Sequence, residues 1–202
     1  MYKGIAISGK IASGKTTLAE AISKRWGIPR KSLADNLKED VAAALYEAGL
    51  ACNEEAIIER HKAKLRGTLQ EWGKIFRELN GEDYWVNRLF PANGKDRHQE
   101  NQRPFVCDDV RFQNEFTAFQ RRGFLLVRLD TGGGAYSTDY HVRRDRLYPG
   151  LTPAQLSHPS ETDLDGQLSR FDIILDTATM SPDETQTEFF KQCRRHDFTW
   201  DR

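Results

Sequence analysis

The sequence predicts an α/β fold of three layers, with a parallel sheet of about five strands held between helices. Two observations carry that expectation. Short apolar runs alternate with longer segments of helical periodicity along most of the chain, and the first apolar run passes through a glycine-bearing turn straight into a helix, the opening half of a βαβ unit. At 202 residues the chain has the size of one domain, able to bury about 70% of the surface its unfolded form exposes. A single domain over 1–202 is therefore expected.

Gly4 to Ser8 is the first strand, and the following helix carries Leu18, Ile22 and Trp26 on one face until Gly27 and Pro29 end it. Lys31 to Ala34 suits a second short strand, and Asn36 to Tyr46 the next helix. The longest periodic segment runs from Glu54 to Leu79, where Leu65, Leu69, Trp72, Phe76 and Leu79 define one buried face of a helical region spanning 54–90. Asn93 to Arg103 is polar and aperiodic, a surface loop before the strand Phe105 to Cys107. Asn114 to Arg121 is a helix closed by Gly123, and Phe124 to Leu129 is a continuous apolar run of the kind found in a central parallel strand. Residues 131–162 hold glycines, prolines and basic side chains with little apolar periodicity; a connection of this length predicts a mobile functional lid. Asp172 to Leu175 is the last strand. Ser181, Pro182 and Glu184 then spell a capping box with proline at the first helical position.

Thirty basic residues balance thirty acidic ones, so no overall positive field exists to hold a polyanion by counterion release. The apolar run near Met1 is too short for a signal peptide, and no stretch approaches the roughly 18 apolar residues of a membrane span. A soluble, cytoplasmic protein with no membrane partner is expected. Cys52, Cys107 and Cys193 are far apart and lack CxxC or CxxH spacing, which argues against a disulfide framework and a structural zinc.

Gly9 to Thr16 matches the complete GxxxxGK[ST] phosphate-binding loop, between a strand and a helix as the chemistry requires. Gly9, Ala12, Ser13, Gly14, Lys15, Thr16 and Thr17 are the expected ATP-binding residues. Backbone N–H groups turn onto phosphate, Lys15 reaches the β and γ oxygens, and the Thr16 hydroxyl is offered to Mg²⁺. Asp108 and Asp109 follow an apolar run, at the strand end where open α/β sheets bind ligands, and either suits the metal. Asp35 ends the second expected strand; it suits either an acceptor base or the N-cap of the helix from Asn36. Arg66, Gln70, Gly73 and Arg77 form a second stripe on the long helix, where arginines hold a phosphate and the glycine leaves room for close approach. Arg143, Arg144 and Arg146 lie in the lid segment, placed to neutralise charge during phosphoryl transfer. His158 to Glu161 has no metal-ligand spacing and reads by itself as a turn.

Together these segments resemble the deoxynucleoside monophosphate kinases of tailed bacteriophages, a P-loop NTPase family related in fold to adenylate and thymidylate kinases. The likeness covers GKIASGKTT, LADNLKED, RGTLQEWGKIFR with Trp85 beyond it, DDVRFQNEF and SHPSE, in that order. It implies a P-loop fold with a helical acceptor-binding region and a lid, ATP as donor with Mg²⁺, and a deoxynucleoside monophosphate as acceptor. Lys15 and Thr16 would bind ATP and metal, Asp35 would sit at the acceptor, and Arg66, Gln70, Arg77 and Trp85 would hold it. Arg111 would face the acceptor or the phosphates, Arg143 and Arg144 would come from the lid, and His158, Ser160 and Glu161 would brace the lid's return. Asp176 and Thr177 depart from the asparagine that related kinases often carry there.

The resemblance extends to phage kinases that phosphorylate 5-hydroxymethyluracil in DNA. A hydroxyl acceptor benefits from a carboxylate such as Asp35, whereas an anionic monophosphate needs surrounding cations and no base. Balanced charge and the helix arginines favour the monophosphate. Dephospho-coenzyme A kinase lacks identifiable acceptor contacts here, and a non-catalytic ATP-binding switch predicts missing catalytic cations, yet Lys15, Arg66 and Arg111 are present. Composition leaves a homodimer open.

Overall fold

The computed structural model describes residues 2–50, 54–91, 103–132 and 138–196, with side chains of 54–63 and 138–139 excluded. Cys52 and most of the loop expected at 93–103 lie outside these residues. Two compact units form, one from residues 1–31 with 97–202 and one from 32–96. The smaller unit begins at Ser32 and contains the helical region expected at 54–90.

The larger unit holds a five-stranded sheet in the order β2-β3-β1-β4-β5. Its strands are β1 (Gly4–Gly9), β2 (Arg30–Lys31), β3 (Phe105–Val110), β4 (Leu125–Asp130) and β5 (Ile173–Asp176), all parallel. β1 is the central strand and is buried along its whole length, which accounts for its unbroken run of small and apolar residues. Side-chain alternation sends Ile5, Ile7, Val127 and Leu129 to one face, where they pack with Leu18 and Ile22 of α1 (Lys15–Trp26) and Phe189 of α9 (Pro182–Arg195). On the opposite face Arg128 donates to Ser8 Oγ at 3.0 Å and to Asp165 at 2.8 Å. The chain leaves β1 towards β2 but leaves β3 and β4 in the other direction. Right-handed crossovers then put the following helices on opposite faces and open a crevice at the carboxyl end of β1.

Several boundaries differ from expectation for local reasons. The second strand stops at Lys31 because Ser32 caps α2 (Leu33–Glu47), its side chain accepting from Ala34 N–H. β3 continues to Val110, so both aspartates lie within the strand and not beyond it. α5 (Gln113–Arg121) starts where the Glu115 carboxylate accepts from the N–H groups of Arg111 and Phe112, at 2.7 and 3.0 Å. The described part of the lid segment is helical, as α6 (Thr138–Leu147), α7 (Pro153–Leu156) and α8 (Pro159–Thr162), and a 3₁₀ turn (Asp165–Arg170) follows.

In the smaller unit α2 is followed by α3 (Glu54–Asn80) and α4 (Tyr84–Leu89). Leu37, Val41, Ala42 and Trp85 form its core, with Leu65, Leu69, Trp72 and Phe76 packed against them. Leu79, expected on that buried face, is 77% exposed, because the stripe runs out in the last turn of α3.

Candidate functional site

The phosphate-binding loop crosses the crevice beside β1. Gly9 is required by sterics: a Cβ there would meet Ser13 Oγ at 2.6 Å and the Leu129 carbonyl at 2.9 Å. Ala12 has φ 60°, the one left-handed non-glycine among the described residues, and Gly14 has φ 93°. Two such reversals within three residues curl the loop; Gly14 adopts its φ freely, whereas Ala12 is held in a region that only glycine takes without strain. Ser13 is buried and its hydroxyl has no partner among the described residues. In a loop of this type an orphaned hydroxyl is ready for a phosphate oxygen.

Lys15 is buried, and its Nζ donates to the carbonyls of Gly9 at 2.7 Å and Lys10 at 2.6 Å. Burial lowers its pKa to about 7, helped by the Arg111 cation and opposed by Glu161 and Asp108. An anion brought to the loop would restore the charged ammonium.

Thr16 Oγ1 donates to Asp108 Oδ2 at 2.8 Å, and Arg30 Nε donates to the same oxygen at 2.9 Å. Asp108 is 3% exposed, and its other oxygen, Oδ1, is buried without a partner among the described residues. A hydroxyl, a carboxylate and an unused carboxylate oxygen suit a hard divalent cation such as Mg²⁺, which takes one or two protein ligands and completes its shell with phosphate and water. Asp109, one residue on, points to the other face and accepts from the buried Cys107 thiol at 3.2 Å. Strand alternation therefore separates two aspartates that sequence treats alike, and only Asp108 meets the Thr16 hydroxyl. Arg30 is a site residue that sequence reasoning missed; no local signal marks a contact made across 78 positions.

Arg143 and Arg144 of the lid segment diverge. Arg143 lines an open cleft with Ser13, Gly14, Thr17 and Thr177, and its Nη2 donates to the Thr177 carbonyl at 3.1 Å. Arg144 pairs with Asp145 and lines a second open cleft with Lys10, Tyr140 and Glu161. Only Arg143 faces the wall formed by the amino end of α1. Within the expected lid segment Tyr140, its pKa pushed up to about 12 by burial and by Glu161, donates to the Ile11 carbonyl at 2.9 Å.

Arg111 donates to Glu161 at 2.6 Å and to the Ser160 carbonyl at 3.2 Å. Burial disfavours the Arg111 cation, but Glu161 and Asp109 outweigh it and hold its pKa above the ordinary value. Glu161 is similarly pushed up by burial and pulled below its ordinary value by Arg111 and Lys15. His158 caps α8, its Nδ1 accepting from Ser160 N–H at 3.2 Å.

In the smaller unit, Asp35 neither closes a strand nor serves as the N-cap. It is the third residue of α2, and its Oδ2 accepts from Ser32 N–H at 2.9 Å, completing a capping box, while Oδ1 pairs with Lys38 at 3.3 Å. Arg66, Gln70 and Arg77 share a half-buried stripe of α3, and Gln70 Nε2 is buried without a partner among the described residues. Two expected acceptor features prove structural. A Cβ on Gly73 would sit 3.3 Å from Leu37 Cδ2, so this glycine admits α2, and Trp85 is 6% exposed with Nε1 donating to the Gly73 carbonyl at 3.2 Å.

Comparison with known proteins found no matching family model and no matching curated protein. Among solved structures, a gluconokinase from Sinorhizobium meliloti 1021 aligns over 96% of this chain and 94% of its own at a TM-score of 0.51 and 13% identity. A shikimate kinase from Aquifex aeolicus vf5 aligns over 96% of this chain and 97% of its own at a TM-score of 0.45 and 16% identity. The five parallel strands and flanking helices are the α/β fold that this chain shares with the gluconokinase.

Proposed function

We propose that this protein transfers the γ-phosphoryl group of ATP to a deoxynucleoside monophosphate, as the deoxynucleoside monophosphate kinases of tailed bacteriophages do. The observation that carries the reading is the loop: a buried Lys15, an orphaned Ser13 hydroxyl, a Thr16–Asp108 pair with one unused carboxylate oxygen and Arg143 share the carboxyl edge of the sheet. Mg²⁺, when bound, would be held by Thr16 and Asp108 and would neutralise charge developing on the transferred group. Lys15 and the loop amides hold the β and γ phosphates, Arg143 closes over the nucleotide, and Arg111 supplies a second cation. A gluconokinase among the fold neighbours is in keeping with phosphoryl transfer.

The acceptor contacts are assigned to Arg66, Gln70 and Arg77. An anionic acceptor needs such cations and no general base. Asp35, the residue that favoured a hydroxyl acceptor, has its carboxylate engaged by Ser32 N–H and Lys38, which favours the monophosphate over 5-hydroxymethyluracil in DNA. The test is coupled ADP release with MgATP, offering each deoxynucleoside monophosphate, 5-hydroxymethyl-dUMP and DNA containing 5-hydroxymethyluracil. Acceleration by a free monophosphate supports the reading and names the base; acceleration by the modified DNA alone replaces it, and indifference to every acceptor leaves an ATP-binding switch.

A further inference from the structure

Three carboxylates at alternate positions, Glu161, Asp163 and Asp165, tie one stretch of chain to three places around the phosphate-binding loop. Asp165 takes Lys10 at 2.6 Å and Arg128 at 2.8 Å, and Asp163 accepts from the Gln113 N–H that opens α5, at 2.8 Å. Glu161 is the innermost, 6% exposed, and uses both oxygens: Oε2 accepts from Ile11 N–H at 2.8 Å and Oε1 from Arg111 Nη1 at 2.6 Å.

We propose that Glu161 is a positioning residue for phosphoryl transfer, holding the Arg111 guanidinium and the Ile11 amide of the loop in one fixed register. The proposal rests on the kinase reading above. Burying a carboxylate is costly unless each oxygen is bonded, and a buried ion pair adds little stability relative to an apolar pair of the same volume. What the charged pair supplies is direction, because charge-assisted bonds are short and fix the donor's orientation. Among the described residues both Arg111 side-chain bonds fall on Nη1, leaving Nε and Nη2 for an incoming phosphate oxygen. Glu161 also offsets the repulsion that the Arg111 cation exerts on the Lys15 ammonium. Without it, Arg111 would swing away from Lys15 and the loop would lose the anchor at Ile11. Glu161 acts through these groups and need not touch substrate.

The test compares wild type, Glu161→Gln, Arg111→Lys and the double variant, in turnover and in the amide spectrum of ¹⁵N-labelled protein. Glu161→Gln keeps the shape and removes the charge; the expected result is a kcat loss of about 10–100-fold, the scale of a misplaced catalytic group, with the KM for ATP moving far less. The double variant should lose no more than the worse single variant, since both act through one contact. The Ile11 amide proton should move upfield in Glu161→Gln. Full kcat in Glu161→Gln, multiplicative losses in the double variant or an unmoved Ile11 amide would each overturn the proposal. A wild type silent with every acceptor would instead remove the kinase reading, while the amide shift would still report the contact.

Discussion

Loading the loop with Mg-saturated ATP is expected to draw a proton from the buffer above neutral pH. Lys15 donates to two loop carbonyls, and burial together with Arg111 brings its pKa to about 7 in the free protein. A triphosphate places negative charge against the same ammonium and returns the pKa toward its ordinary value of about 10.4. At about pH 8 the free protein then carries about 0.1 proton on Lys15 and the complex about 1, an uptake of about 0.9 per site that falls to about 0.1 near pH 6. Titration calorimetry in buffers of different ionisation enthalpy counts that proton directly, as the slope of observed heat against buffer enthalpy. Lys15→Met should abolish the slope. A flat line for the wild type at about pH 8 would mean that Lys15 is already charged in the free protein, refuting the account of its environment. The same shift has a sign for stability. The folded pKa lies below the unfolded one, so between about pH 7 and 10.4 the unfolded chain binds more protons and this group makes the fold more stable as pH rises. Below that window Lys15 is charged in both states and the whole penalty remains.

Other substitutions separate site from scaffold. Asp108→Asn should raise the Mg²⁺ concentration for half-maximal turnover by about 10–100-fold while Asp109→Asn shifts it little, and the reverse order would reassign the metal position. Asp35→Ala should lower stability by about 1 kcal/mol through the lost capping box and leave turnover of a monophosphate within a few fold; a collapse of kcat without unfolding would restore Asp35 as a base. Trp85→Phe should cost about 1 kcal/mol of stability through the lost bond to the Gly73 carbonyl, with the acceptor KM unchanged. A raised acceptor KM at unaltered melting temperature would return Trp85 to the acceptor.

Much of the fold was legible because its signals are local. The βαβ opening, the loop motif, the helix ends at Gly27 and Gly123 and the capping box at Ser181 depend on backbone preferences within a few residues, and the structure contains each of them. Expectations slipped where one residue type serves two purposes. Asp35 reads equally as a strand-end carboxylate and as a helix cap, and only the pairing of Ser32 N–H with its side chain separates them. Gly73 reads as room for a ligand until Leu37 occupies that room. Trp85, tied to a carbonyl twelve residues back, shows that an aromatic beside an arginine stripe can belong to the core.

By itself the sequence determined the strand–loop–helix that carries the GxxxxGK[ST] motif, the parallel α/β class and the cations the chain can bring to that loop, because these follow from glycine conformation, hydrophobic period and charge. Tertiary structure alone decided which cations and carboxylates meet. It turned Asp108 to Thr16 and Asp109 away, sent Arg143 and Arg144 to different clefts, and brought Glu161 to an amide 150 positions distant. Such contacts are made when strands take their order in the sheet and helices choose a face. A side chain's partner across the sheet depends on register, and one residue of slip would exchange Asp108 for Asp109 beside Thr16.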